Sequence, residues 1–345
     1  MVQDPYNLPK KHYMDANRQI SIRSTDWRQL LSYALSACST FNAVNWSTAL
    51  SKLGRMQRSS VDSMKTDSRY YQLISYLCKA MTMDVGNNLE VFATTPQAIA
   101  NIVHSLAKLH CPVRDCKPIL AAVNQQATWL VESGNTLDIA NLAWAFATLG
   151  FHADHMFDEI EKHAAFLVTS GEAQHIANVS WAAATLGHAC PLLFLEMNEE
   201  KCADFIVKEG TPQAIANTAW AAATLGHSCS QLFKALDDKC SQFLVETGKP
   251  QEIANTAWAA ATLGENATGL FRAIEASPEC VVESHYTVDV SHTAWACGKL
   301  QYDCPTLMKA VDNQSERVIL EGSTQAISNV AMCEWRERRS DEYDE

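Results

Sequence analysis

At 345 residues, with 47% hydrophobic and 19% charged positions, the chain can bury a sizeable core and is too apolar to be a disordered tail. No stretch approaches the roughly 20 consecutive apolar residues that cross a bilayer, which argues against a membrane-spanning protein. The formal net charge of −12 is uneven: residues 1–134 hold 14 basic and 9 acidic side chains, 135–285 hold 7 and 19, and 286–345 hold 6 and 11, so a polyanion meets the first third most readily.

Residues 1–25 read as an amino-terminal extension. The first thirty residues lack the apolar core of a secretory signal, and their Asp4, Asp15 and Asp26 are at odds with a clean organellar transit peptide. Next, "TDWRQLLSYALSA" at 25–37 has the spacing of an amphipathic helix that would cap the start of a larger array. Twelve cysteines include no CxxC pair, and several recur in phase with a repeat of about 38 residues, so a reducing compartment is the simpler reading.

From there the chain repeats itself. Aligned on one asparagine, the units fall at Asn45, Asn101, Asn141, Asn178, Asn217, Asn255, His292 and Asn329, with steps of 56, 40, 37, 39, 38, 37 and 37. The long first step places an insertion at about 56–70. In "TPQAIANTAWAAATLG", Thr211 is a good N-cap, Pro212 sits where its missing N–H costs nothing, and Gly226 supplies a left-handed stop. The same frame opens at Thr95, Lys249 and Ser323, and the same stop recurs at Gly54, Gly150, Gly187 and Gly264.

The spacing predicts an inner helix of small and apolar residues on nearly every side, followed by a short turn and one amphipathic outer helix such as "CSQLFKALDDKCSQFLVE". The predicted fold is all-α: an α-solenoid of about seven to eight helix-turn-helix repeats of ~38 residues over 26–335. The last unit then runs into a polar tail at 336–345 with no second helix. Either the chain is truncated there or a partner covers the open face.

The phrase "QAIANTAWAAATLG", with asparagine, tryptophan three later and Leu-Gly eight and nine later, resembles the octotricopeptide repeat. More loosely it resembles the helical repeats of FAST-kinase-type and RAP-domain proteins, and it looks like the helical-repeat subunits of the mitochondrial RNA-editing substrate-binding complex. No RAP domain is recognisable. The resemblance covers about 26–335 and implies a non-catalytic protein of a mitochondrion or chloroplast. Such a protein binds single-stranded RNA, a transcript or ribosomal RNA, or the proteins of a ribonucleoprotein complex.

Several columns are candidates for that binding. Asn101, Asn141, Asn178, Asn217, Asn255 and Asn329 would lie along one line of the solenoid, where an amide can meet a base edge or an extended peptide. Their other reading is a buried ladder of amides that fixes repeat stacking. Variation sits three residues earlier, with Asp138, His175, Glu252 and Asp289 among alanines, and one residue later, from Ile102 to Val330. Those positions suit one-residue-per-unit base reading, or they drift because nothing constrains them.

Trp144, Trp181, Trp220, Trp258 and Trp295, with His104 and Met332 at the same place in other units, either stack bases or fill the space between repeats. Lys52, Arg55, Arg58, Lys65 and Arg69, preceded by Lys10, Lys11, Arg18, Arg23 and Arg28, are the phosphate-contact candidates. The pairs His188/Cys190 and His227/Cys229 do not complete a four-ligand site, and turn chemistry explains them better than metal.

There is no glycine-rich phosphate loop, GxSxG or HExxH, so neither catalytic residues nor a cofactor, metal or small-molecule substrate is expected. Two functions remain: an RNA-binding solenoid of organellar RNA processing, or an acidic scaffold for a basic protein partner. Repeat identity favours the first and charge the second.

Overall fold

The computed structural model describes residues 8–83, 89–93 and 95–331, and every regular element among them is helical. Residues 1–7, Met332 and the tail at 336–345 lie outside the described residues. The chain divides into two compact units, Met1–His163 and Ala164–Glu345.

The first unit holds inner helices α1 (Ala43–Gly54), α2 (Pro96–Lys108) and α3 (Thr136–Leu149). The second holds α4 (Ala173–Leu186), α5 (Pro212–Leu225), α6 (Pro250–Leu263) and α7 (Thr287–Leu300), and a further helical run covers 324–331. Within each unit every inner helix packs against the next: α1 on α2 and α2 on α3, then α4 through α7 in order. This is an all-α solenoid.

Alanine makes the stacking possible. In α5, Ile215, Ala216, Ala219, Ala222 and Ala223 are buried, and the corresponding alanines of α4 and α6 are buried as well. Side chains this small let neighbouring backbones approach closely.

Each inner helix also carries its own start and stop. Thr211 Oγ1 accepts from the Ala214 N–H at 3.2 Å and Ser323 Oγ from the Ala326 N–H at 3.2 Å. Gly150, Gly187, Gly226 and Gly264 adopt φ of 68°, 78°, 76° and 71°. Gln301 takes the same role after α7 at φ 60°, and α2 turns at His110 with φ 46°. Gly54 differs from expectation. It is the last residue of α1 and is followed by Arg55 at φ −89°, because the chain there leads into another helix, Arg58–Lys65, instead of a repeat turn.

The outer segment is not one helix but two in series. Examples are Val113–Gln125 with Ala127–Ser133, Ser230–Lys239 with Ser241–Thr247, and Pro305–Asp312 with Ser315–Glu321. At Cys240 the backbone leaves the helix (φ −142°, ψ −2°), and Ser241 Oγ donates to the Leu236 carbonyl at 3.1 Å.

A recurring tie joins consecutive outer helices. The first-turn N–H groups of a helix have no partner within it, and here the preceding repeat supplies one. Asn124 Oδ1 accepts from the Met156 N–H at 3.0 Å, Asn198 Oδ1 from Gln231 at 3.1 Å and Asp237 Oδ1 from Gly269 at 2.9 Å. Glu275 accepts from Thr306 and Leu307 at 2.7 and 2.8 Å.

At the amino end the Lys10–Ile22 helix packs on α1 and the Trp27–Ala37 helix comes after it. The Asn45 amide donates to the Tyr13 carbonyl at 2.9 Å and to Asn17 Oδ1 at 2.8 Å. The interval read as an insertion contains the Arg58–Lys65 helix and the start of Ser68–Cys78. The cysteines among the described residues are free thiols.

Gly226 and Gly54 separate backbone strain from space. A Cβ on Gly226 meets nothing within 4 Å, yet its positive φ strains any L side chain, whereas Gly54 is right-handed with its nearest neighbour at 3.4 Å. Gly226→Ala should cost about 1–2 kcal/mol in urea denaturation, and Gly54→Ala should leave stability unchanged or slightly raised.

Candidate functional site

Close packing through alanine leaves one stripe of each inner helix uncovered. In α5 the stripe is Gln213, Asn217, Trp220 and Thr224, spaced so that all four share a face, and each is half-buried or exposed. The same face carries Leu137, Asn141, Trp144 and Thr148 in α3; Gln174, Asn178, Trp181 and Thr185 in α4; and Gln251, Asn255, Trp258 and Thr262 in α6. Inner helices therefore do have a solvated face, contrary to the sequence expectation. These four tryptophans, and Trp295 at the same place in α7, are half-buried and not sealed between repeats.

The asparagine amides are only partly engaged. Asn178 Oδ1 accepts from Gln174 Nε2, and Asn329 Oδ1 from Gln325 Nε2, both at 2.8 Å within one helix. Among the described residues, the side chains of Asn101, Asn141, Asn217 and Asn255 have no hydrogen-bond partner. Of these asparagines, Asn45 is the one whose amide reaches the neighbouring inner-layer helix. An amide ladder between repeats is thus not what holds Asn101 to Asn255, and their donors and acceptors face solvent.

The columns that vary in sequence are placed elsewhere. The residues one after the asparagine, including Ile102, Leu142, Val179, Thr218, Thr256 and Thr293, are buried. Those three before it stand at the third helical position, and three of them, Asp138, His175 and Glu252, close capping boxes, whereas Asp289 accepts from Ser284 Oγ at 2.6 Å. Asp138 accepts from the Asn135 N–H at 3.3 Å, His175 Nδ1 from the Glu172 N–H at 3.3 Å and Glu252 Oε2 from the Lys249 N–H at 2.8 Å. Burial raises the Asp138 carboxyl above its ordinary value, and the Asn135 bond opposes it. The chemistry of these residues is spent on starting their helices.

The basic candidates fall into distinct settings. Lys52 lies in the last turn of α1, half-buried, and Arg55 caps that helix. Arg58 pairs with Asp62 at 3.5 Å and hydrogen-bonds His110, whose pKa is lowered by burial and then by Arg58 and Lys65. Arg69 is held by Asp67.

Seven residues after the asparagine, sequence reasoning missed a further column. Lys52, Lys108 and Lys299 occupy it in α1, α2 and α7, where threonine stands in α3 to α6. The same offset that aligned the tryptophans would have found it. A cation in a helix's last turn is also favoured by the helix dipole. His227 stacks on Phe194 with centroids 4.6 Å apart and hydrogen-bonds the Ala189 carbonyl, a role in joining successive turns.

On α3 to α6 an amide and an indole share one side of each inner helix, with His104 and Lys108 on that side of α2 and His292, Trp295 and Lys299 on that side of α7, and such a side can stack planar groups and pair with polar edges. Among the described residues this face pairs no acid with a base. The family model described as RNA-editing substrate-binding complex 6 protein matches residues 48–305. The chain belongs to that family. The match takes in all of α2 to α7, so the stripe residues from Gln97 to Lys299 lie inside it, while Asn329, Arg23 and Arg28 lie outside. Of the three resemblances noted in the sequence, it falls on the editing-complex group. No match is found among curated proteins.

Within this family member the stripe of α2 is electrostatically distinct. His104 packs on Trp144 with centroids 4.9 Å apart, and burial, then Lys108 and Arg55, hold its pKa down to about 4. The imidazole is therefore neutral at physiological pH. Because the unfolded chain takes up this proton near 6.5 and the folded chain near 4, His104 reduces stability as pH falls through that window. His104→Gln should lessen the drop in melting temperature between pH 7 and pH 4, read by circular dichroism; an unchanged pH profile would contradict this placement.

Proposed function

We propose that this chain is a non-catalytic helical-repeat component of an RNA-editing assembly, and that its inner-helix stripe holds single-stranded RNA. The observation that carries the reading is the recurrence of unpartnered amides beside half-exposed indoles: Asn217 with Trp220, Asn255 with Trp258, Asn141 with Trp144. Indole faces accept any base by stacking, and free amides complement base edges. The stripe varies little from repeat to repeat, which suits holding RNA regardless of sequence. Lys52, Arg55, Lys65 and Lys108 add phosphate contacts in the first unit.

The mechanism would be occupancy: a bound strand is presented to, or shielded from, the proteins that process it. The family name supports both RNA and protein partners, and we place the chain in the mitochondrion, the setting of the editing-complex subunits it resembles. No helix of the described residues is long and apolar enough to cross a membrane. The acidic balance of 135–285, 7 basic against 19 acidic side chains, favours a second use of the same chain, in which its outer layer docks a basic protein.

The deciding measurement is fluorescence anisotropy with a randomised single-stranded RNA pool. Asn217→Ala with Asn255→Ala removes two amides that hold nothing in the fold, so thermal stability should be unchanged or slightly higher. RNA affinity should fall about tenfold, as expected for the loss of one or two net hydrogen bonds. Absence of RNA binding by the unaltered chain even at low salt would overturn the RNA reading and leave the scaffold.

A further inference from the structure

A second feature lies apart from the stripe, on the Trp27–Ala37 helix at the amino end. An open cleft of about 630 Å³ is lined by Arg23, Arg28, Gln29, Ser32, Tyr33, Ser36 and Arg69. Three guanidinium groups in one recess would repel each other unless something held them or an anion joined them. Each is held differently. Arg28 lies over the Trp27 ring at 4.3 Å, and Arg23 lies over the Tyr33 ring at 4.8 Å while donating to the Gln19 carbonyl at 3.1 Å. Arg69 forks onto Asp67, with Nε to both carboxylate oxygens at 3.0 and 3.1 Å, and its other edge reaches Ser32 Oγ.

Of the acids nearby, Asp15 stands close enough to raise the Tyr33 pKa, and the other two are committed. Asp67 is taken by Arg69, and Asp26 accepts the Arg28 backbone N–H at 2.8 Å as the cap of the helix. Among the described residues, neither Arg23 nor Arg28 has a carboxylate partner. Stacking on an aromatic face fixes the plane of a guanidinium: Arg28 keeps its N–H groups without a hydrogen-bond partner among the described residues, while Arg23 gives Nη1 to the Gln19 carbonyl and side-chain oxygens and keeps Nε and Nη2, the edge that can grip a phosphate with two parallel hydrogen bonds. The Ser32 and Ser36 hydroxyls and the Gln29 amide line the same recess as further polar groups.

We propose that the cleft of Arg23, Arg28 and Arg69 seats backbone phosphates of single-stranded RNA, with Arg23 and Arg28 supplying the two net contacts. The proposal rests on the RNA-binding reading of the stripe and extends the bound path beyond it. An open recess suits a strand that passes through it, and its guanidinium groups select for negative charge without reading bases.

The test uses the full chain and a fluorescein-labelled oligouridylate, with affinity measured across a salt series. Arg23→Gln with Arg28→Gln is compared with Lys10→Gln with Lys11→Gln, which removes the same charge from exposed positions outside the cleft. Circular dichroism melts accompany both. The cleft variant should bind about tenfold more weakly at moderate salt. Its slope of log affinity against log salt should be shallower by about 1.4, from ~0.7 per phosphate contact.

Equal loss in the two variants would reduce the effect to net charge and overturn the cleft. So would an unchanged slope in the cleft variant while the unaltered chain binds RNA, an outcome that leaves the RNA reading standing. If the unaltered chain binds no RNA, both readings fall together. Cleft-dependent binding to phosphatidylserine vesicles, without RNA binding, would assign the site to a membrane surface instead.

Discussion

Close approach of alanine-faced helices is the constraint on which the rest of this molecule depends. Where Ala216, Ala219, Ala222 and Ala223 meet the neighbouring inner helices, no large side chain can be accommodated. The tryptophan of α3 to α6 is therefore turned onto the face that packing does not use, and the asparagine one turn away from it shares that face. A residue that looks like core filler by composition becomes part of the accessible surface. The chemistry of the stripe is thus a by-product of how the repeats stack.

Polar residues divide between holding the fold and facing solvent, and charge is a poor guide to which does which. Asp138 and Glu252 close helix starts, and Asp237 and Glu275 receive orphan backbone N–H groups from the next repeat. These acids contribute to the net charge of −12 while serving as caps. The stripe in α4 to α6 is uncharged, so the acidity of that region does not fall on the face that carries the indoles. Basic groups gather instead in the first unit, around His104, His110 and the arginine cleft. Stacking on an uncharged stripe, combined with phosphate contacts in the first unit, would reconcile an acidic protein with a polyanionic ligand.

Much of the architecture was legible from the repeat. The period, the proline at the first helical position and the glycine at the stop are local requirements of a helix, and local requirements are written in adjacent residues. Gly54 shows the limit: the same residue in the same frame ended its helix without a left-handed turn, because the chain continues there into another helix. The outer segment, expected as a single helix, shows a second limit. Its apolar spacing continues across Cys240 although the backbone breaks there, and periodicity records which side is buried without recording continuity.

By itself the sequence determined the secondary-structure class, the repeat and the candidate columns, since each rests on spacing along one helix. Only the tertiary structure decided which column faces solvent. Asn217 and Trp220 could be buried or open with the same spacing, and the answer depended on which side the neighbouring helices cover. It also decided that Asp138, His175 and Glu252 are caps, and that Arg23, Arg28 and Arg69, far apart in the chain, share one recess. The physical reason is the same in each case: hydrogen bonding and burial are set by distances between elements, and spacing within one element cannot carry that information.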